Sequence, residues 1–172
     1  MTKFVKFAAL AAAVLATTPA FAAPVGVTGA PPSATARIIR PLSLTSTGSL
    51  NFGTIVLNGV TANRTVALSS GNVLDCGAGT AELACSGVTS VPTYNVRGTN
   101  NQVVTVIKAA SNLTNSTDGS TLSMTPSGAA TVLLTNSGAP GVNFNIGGSI
   151  VIGAATTDGV YSGTVDVQVD YQ

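Results

Sequence analysis

The chain has 172 residues, of which 45% are hydrophobic and only 8% are charged, and it contains no histidine. Without histidine the usual general base is missing, so neither a Ser-His-Asp nor a Cys-His catalytic site can be built, and we expect no enzyme, cofactor or metal site. The few scattered lysines and arginines cannot form the basic face that nucleic-acid binding requires.

The first 22 residues have the pattern of an export signal. Lys3 and Lys6 give a basic start, an apolar run follows from Phe7 to Thr18, and Ala20-Phe21-Ala22 fits a small-x-small cleavage site. The apolar run is too short to span a membrane, and no later stretch approaches the required length of about twenty residues. We therefore expect an exported chain that starts at residue 23 and has one domain.

Residues 23–33 are predicted to be a flexible arm. The segment contains Pro24, Pro31 and Pro32, and its only large apolar residues are Val25 and Val27. Proline cannot donate to a β-ladder, which argues against a regular strand here.

Residues 34–172 are predicted to be a single all-β domain. Val, Ile and Thr dominate this part of the chain, and turn residues recur every 8–12 positions or so, as is typical of an antiparallel sandwich or barrel. The predicted strands are Ala34–Arg40, Leu42–Thr45, Leu50–Leu57, Arg64–Ser69, Ala81–Ser86, Thr93–Arg97, Val103–Ala109, Thr121–Thr125, Val142–Ile146, Ser149–Ile152 and Tyr161–Tyr171.

Several local patterns refine this prediction. The run Val103–Ile107 lacks alternation, which predicts a central strand buried on both faces. Gly147-Gly148 predicts a late hairpin or bulge between two strands. Asp118-Gly119 and Asp158-Gly159, each preceded by Thr, favour turns.

Cys76 and Cys85 are the only cysteines. An even number of cysteines in an exported chain predicts a disulfide, whereas a pair of free thiols is the alternative.

The stretch from Gly159 to Gln172 is predicted to end in a strand with one clean apolar face. Side chains two residues apart lie on the same face. That face carries Val165, Val167, Val169 and Tyr171. Asp166 and Asp170 lie on the opposite face, which we interpret as a solvated polar surface rather than as a glycosidase or metal pair. Such a strand must pair either with the protein's own sheet or with another chain.

Two groups of motifs resemble known exported families. Ala34-Thr35-Ala36-Arg37-Ile38, then Pro41-Leu42 and Leu50-Asn51-Phe52-Gly53, is similar to the opening of spore coat protein U and of archaic chaperone-usher pilin domains. The same opening and the ending Gly159-Val160-Tyr161-Ser162-Gly163 resemble a family of exported proteobacterial proteins classified as a domain of unknown function. The pilins also share a glycine fourteenth from the end, here Gly159, and an aromatic at or beside the terminus, here Tyr171.

The resemblance implies an immunoglobulin-like sandwich that lacks its last strand. In such pilins a periplasmic chaperone first fills the gap with a strand, and the N-terminal extension of the next subunit then replaces it, by addition of a strand to an open edge. The expected partners are therefore a chaperone and copies of this or related subunits, and the expected location is the periplasm and then a fimbrium on the cell surface. The implied assembly strand carries Gly159, Tyr161, Val165, Val167, Val169 and Tyr171.

Two questions stay open at this level. The donor strand is either the arm, through Val25 and Val27, or the alternating residues Ala34, Ala36 and Ile38, which equally fit the domain's own first strand. Correspondingly, the chain is either a pilin-like structural subunit that assembles by strand donation or a self-complete, monomeric secreted sandwich that acts in binding or adhesion.

Overall fold

The computed structural model describes residues 22–77, 79 and 81–172. The chain divides into two compact units, Met1–Arg37 and Ile38–Gln172. The predicted export signal falls almost entirely on residues 1–21, outside the described range, and stays a prediction. In the first unit, residues 22–37 contain neither strand nor helix, and their side chains are exposed.

The strand predicted over residues 34–40 is wrong, because no residue of that stretch lies in a strand. A strand is held by a ladder to a neighbour, and alternation in a sequence does not reveal whether such a neighbour exists. The first strand of the described chain begins instead at Ser43. The alternative in which residues 34–40 form the domain's own first strand is therefore not what the fold contains.

The second unit is all-β, and its described residues contain no helix. Its strands are β1 (Ser43–Thr47), β2 (Thr54–Leu57), β3 (Arg64–Leu68), β4 (Leu74–Cys76), β5 (Leu83–Ser86), β6 (Thr93–Arg97), β7 (Val103–Lys108), β8 (Ser111–Asn115), β9 (Thr121–Gly128), β10 (Thr131–Leu133), β11 (Val142–Ile152), β12 (Tyr161–Ser162) and β13 (Val167–Tyr171).

The strands form three antiparallel sheets. The large sheet has the order β1-β6-β11-β9-β8-β12, with β3 also paired to β11 and β4 paired to β3. The three-stranded sheet has the order β10-β7-β13, and the two-stranded sheet consists of β2 and β5. This confirms the all-β, antiparallel prediction and is consistent with a β-sandwich.

Strand β11 is shared by the two halves of the large sheet. Its residues Val142–Asn145 pair with β6, its residues Gly148–Ile152 pair with β3, and β9 lies along its other edge. The hairpin or bulge predicted at Gly147-Gly148 is wrong, because both glycines lie inside this one strand and pair with β9 in an unbroken register. Gly147 is required for space instead: a Cβ there would approach the Ser69 carbonyl carbon to 2.6 Å and the Ser70 nitrogen to 2.8 Å.

The two smaller sheets each cover one half of the large sheet and so create two core clusters. Under the two-stranded sheet the buried residues are Phe52, Val66, Leu68, Leu83, Leu122, Met124, Ile150 and Ile152. Under the three-stranded sheet they are Tyr94, Val96, Val104, Val106, Val132, Leu134 and Ile146. Val165 packs against both clusters and joins them.

Strand β7 is central in its sheet, but the prediction that both its faces are buried is wrong. Val104 and Val106 point into the second cluster, whereas Ile107 on the opposite face is half-exposed. The run of valines here therefore reflects one buried face and one partly exposed face.

The strand predicted over residues 161–171 is divided in two. Tyr161 and Ser162 form β12 against β8 of the large sheet, whereas β13 pairs with β7 of the three-stranded sheet. The intervening residues carry the chain from one layer to the other. Strands β4, β8 and β10 have no counterpart in the sequence prediction; β4 and β10 have three residues each, and β8 is mostly polar.

The predicted disulfide between Cys76 and Cys85 is confirmed, with the two Cα atoms 5.9 Å apart. It links β4, which extends the large sheet through β3, to β5 of the two-stranded sheet. The bond therefore ties the two layers around the first cluster. Among the described residues, no helix has the length and apolar character needed to cross a membrane.

Candidate functional site: an apolar groove beside an open strand edge

An apolar groove with a volume of about 830 Å³ runs between β2 and the segment that leads into β13. One wall is the stretch Leu50–Leu57, and the other comprises Thr156–Gly163 and Val165. The floor consists of side chains from β8, β9 and β11, namely Leu113, Leu122, Met124, Ile150 and Ile152. The groove thus reaches the first core cluster through a gap between the two-stranded and three-stranded sheets.

Strand β2 presents an open edge to this groove. In an antiparallel pair, alternate residues direct both their N–H and their C=O groups to the same neighbour. The Asn58 N–H donates to the Glu82 carbonyl over 2.7 Å, in register with the β2–β5 pairs, so even-numbered residues bond to β5. The backbone groups of Ile55 and Leu57 consequently point away from β5, and within the described chain β2 has no second partner strand.

Strand β13 presents a second open edge. The Ala109 N–H donates to the Asp166 carbonyl and the Gln172 N–H donates to the Val103 carbonyl, so even-numbered residues bond to β7. The backbone groups of the odd-numbered residues Val167, Val169 and Tyr171 therefore point outward. At the end of this edge the Tyr171 N–H donates to Oδ1 of Asp170, over 2.8 Å.

A buried polar network holds the groove wall beside Gly159. Asn115 is only 1% exposed, and its amide nitrogen donates to the Asp158 carbonyl over 3.0 Å. Its amide oxygen accepts the Thr117 N–H over 2.9 Å. Because every polar atom of this side chain has a partner, its burial costs little. The network thereby fixes the 156–160 loop against the β8–β9 turn.

Hydroxyl groups extend the network to Tyr161. The phenolic oxygen lies 2.9 Å from Ser120 Oγ and donates to the Thr157 carbonyl over 2.9 Å. Hydrogen bonds from Ser120 and then Thr157 lower the pKa of Tyr161 below its ordinary value. The backbone and side chain of Ser120, followed by the Thr157 hydroxyl, likewise lower the pKa of Asp118. These groups satisfy one another's hydrogen bonds, and the Thr157 hydroxyl donates to Oδ2 of Asp118 over 2.7 Å.

The chemistry of the lining favours an apolar occupant. Asp158 is the only charged residue among those that line the groove. The described residues contain no cluster of three or more potential metal ligands. An apolar floor beside the open edge of β2 provides contacts for alternate side chains and a ladder for a backbone, which are the two features that an extended peptide uses.

The predicted assembly residues fall into two sets. Gly159, Tyr161 and Val165 line the groove. Val167 and Val169 do not line it; like Tyr171 they pack on the second cluster, with only their backbone edge free. Of the residues predicted to form one continuous groove wall from Gly159 to Tyr171, those from Val167 onward therefore lie outside the groove.

The predicted donor residues lie in the strand-free segment, which comprises residues 22–42, and they are exposed. Val25 is 92% exposed, Val27 70% and Ile38 90%. Ala34 and Ala36 are exposed as well. None of the five is engaged in a strand, so all five keep their backbone and apolar side chains outside any ladder.

Sequence reasoning missed the opposite wall and the polar network. The stretch Leu50–Leu57 was identified as a strand, but nothing in its pattern showed that one of its edges is open. Asn115 carried no signal beyond its position before a turn. The repeated Thr-Asp-Gly at residues 117–119 and 157–159 was the available clue, since the two turns meet through Asn115.

Comparison with known proteins gives a family but no function. A family model described as a domain of unknown function (DUF4402) matches residues 42–171. No curated protein and no solved structure matches the chain.

Proposed function

The chain belongs to the DUF4402 family of domains of unknown function, and we propose that it is an exported structural subunit that assembles by accepting a strand from another chain. The observation that carries this proposal is the groove between β2 and the segment leading into β13. It joins an apolar floor to the open edge of β2, and its opposite wall continues along the chain into β13, whose outer edge also lacks a partner in the described chain.

A donated strand supplies what each part of the groove lacks. Its backbone extends the ladder of β2 and, beyond Val165, that of β13, and its alternate side chains pack on a floor where Leu122, Met124 and Ile150 are already buried. Each well-buried aliphatic side chain contributes about 1.5–3 kcal/mol relative to its exposed state. An apolar strand is therefore favoured over a polar one.

The strand-free segment of a second copy is the donor we propose. Ala34, Ala36 and Ile38 alternate, and the small alanines suit shallow positions over a floor that is already largely packed. Val25 and Val27 form a second alternating pair, but Pro24 lies next to them and three prolines reduce the ladder of that stretch.

An empty groove makes a partner protein necessary during export. Open, apolar strand edges favour edge-to-edge aggregation, and natural sheets normally cover them. We therefore include a periplasmic chaperone that fills the groove before assembly, and a final location on the cell surface.

A peptide that spans residues 24–40 tests the proposal directly. Added in excess to the full chain produced in the periplasm, it should raise the midpoint of urea unfolding, because a ligand that binds only the folded state stabilises it by about 2.7 kcal/mol at a hundredfold excess over Kd. A control peptide with Ala34, Ala36 and Ile38 all replaced by Asp should have no effect.

A pair of charge variants locates the binding site. Val56 lines the groove and is 48% exposed, whereas Val88 is 83% exposed and lies outside the groove. Val56→Asp should abolish stabilisation by the peptide, and Val88→Asp should leave it unchanged. A monomer that unfolds cooperatively, gains no stability from the peptide and never oligomerises would contradict strand donation.

A second candidate is a self-complete secreted binding module. The groove volume of about 830 Å³ lies within the range of about 300–1,000 Å³ that is typical of small-molecule sites. That function predicts stabilisation by an apolar small molecule, such as a detergent monomer, and none by the peptide, so the same unfolding assay separates the two candidates.

A further inference from the structure

Three residues that are far apart in the sequence form a closed ring of hydrogen bonds at the end of β13. The Tyr171 hydroxyl donates to the Arg40 carbonyl over 2.7 Å and accepts the Thr99 N–H over 2.8 Å. The Arg40 N–H donates to Thr99 Oγ1 over 2.7 Å and closes the ring. Arg40 stands at the end of the strand-free segment, so the ring ties that point of the chain to β13.

The residues around this ring of hydrogen bonds are closely packed. Gly98 precedes Thr99 and is buried. A Cβ at Gly98 would approach Leu134 Cδ1 and Leu42 Cδ2 to 2.8 Å each and would collide with the Tyr171 hydroxyl. The phenol is therefore held by apolar contacts on its flanks as well as by its own hydrogen bonds.

Tyr171 also belongs to the strand whose outer edge is open. Strand β13 pairs with β7 alone, and a strand that is paired on one edge opens more readily than one paired on both. When β13 opens, the Tyr171 hydroxyl leaves Arg40 and Thr99 without their shared partner. The order of the ring thus depends on the stability of the β13 ladder.

We infer that the Tyr171 hydroxyl couples occupation of the β13 edge to order at Arg40, the base of the segment that donates to the next subunit. The inference rests on the proposed function, because it assumes that a strand pairs along this edge. A subunit that has received a strand then holds the base of its own donor segment in place. Since coupling is reciprocal, a disordered Arg40 also weakens strand acceptance by the same factor.

Amide hydrogen exchange on the full chain tests the coupling, with the 24–40 peptide as the probe. In the wild type, the peptide should slow exchange at Val167 and Val169 and also at Thr99 and Arg40. Tyr171→Phe keeps the aromatic side chain but removes its hydroxyl. Without peptide, this variant should speed amide exchange at Thr99 about fivefold, as expected for the loss of one hydrogen bond.

In Tyr171→Phe the peptide should still protect Val167 and Val169 but no longer protect Thr99 and Arg40. Tyr161→Phe is the matched control: it removes a hydrogen-bonded hydroxyl from the groove wall and should leave Thr99 exchange unchanged. Thr99→Val supplies a second variant, which frees only the Arg40 N–H and should speed exchange at Arg40 alone.

The outcomes separate this inference from the proposed function. Protection of Val167 and Val169 without any change at Thr99 in the wild type overturns the coupling and leaves strand donation standing. Unchanged exchange at Thr99 in Tyr171→Phe also overturns it. A peptide that protects neither site overturns the proposed function and the coupling together.

Discussion

Replacement of Gly159 by alanine examines how tightly the groove wall is packed. Gly159 has a φ of 144°, a backbone conformation that alanine adopts only under strain. A Cβ at this position would approach the Asn115 amide nitrogen to 2.5 Å and Cγ to 2.7 Å, with the amide oxygen closer still. Gly119 in the other Thr-Asp-Gly turn has a φ of 75° and open space around its Cβ position.

Comparing the two glycine variants separates the free-energy cost of backbone strain from that of the steric clash with Asn115. Backbone strain of this kind costs about 1–3 kcal/mol, and both variants incur it. Gly159→Ala must in addition displace the buried Asn115 amide from Asp158 and Thr117, which leaves buried polar groups unpaired at about 1–3 kcal/mol. We expect Gly159→Ala to lower the free energy of unfolding by about 2 kcal/mol more than Gly119→Ala does.

Urea unfolding followed by circular dichroism measures this difference. A double variant that adds Asn115→Ala should reduce the effect of Gly159→Ala, because the collision partner is gone and the two changes are no longer additive. Equal losses for the two glycine variants, within about 0.5 kcal/mol, would refute the close packing of Gly159 on Asn115.

Three further predictions concern the same framework. The disulfide closes the loop from Cys76 to Cys85, and the chain-entropy model gives roughly 2.5–3 kcal/mol for a loop of that length. Replacing both cysteines by serine should lower the free energy of unfolding by this amount, as measured by urea midpoints. Hydrogen bonds from the Arg64 guanidinium, at 2.6 Å, and then from Thr61 lower the pKa of Glu82 below its ordinary value of 4.5. The Arg64–Glu82 pair therefore stabilises the fold above a pH of about 4.5, and this stabilisation is lost as the pH falls through the lowered pKa of Glu82. The free energies of unfolding of the wild type and Glu82→Gln should accordingly converge in acid. A constant difference between them at all pH values would contradict this. Tyr161→Phe should cost about 1 kcal/mol in urea unfolding, and no change would mean that its hydroxyl is equally well bonded by water.

Sequence reasoning reached the fold class because alternation and turn spacing are local properties. The valines of β13 and the Asp-Gly turns report directly on which faces are buried and where the chain reverses. The disulfide was likewise predictable from the even number of cysteines in a chain that is predicted to be exported. None of these inferences requires knowledge of which strands are neighbours.

The wrong predictions concern features that depend on which strands are neighbours in the fold. Residues 34–40 alternate like a strand but have no ladder. Gly147 looks like a turn residue, yet it is glycine because the backbone at Ser69 and Ser70 passes too close for a side chain. Leu50–Leu57 lines the candidate site because one edge of β2 is open, and an open edge is a property of the sheet that the sequence of one strand does not reveal.

The shared strand β11 has a consequence for how the chain folds and melts. Because β11 contributes Ile146 to one core cluster and Ile150 and Ile152 to the other, neither cluster can lose its packing without disturbing the other. The domain should therefore unfold as one cooperative unit despite its two clusters. The ladders of β11 to β3 and β6 join distant parts of the sequence, so we expect slow folding. Until β11 has paired, the edges of these strands are exposed.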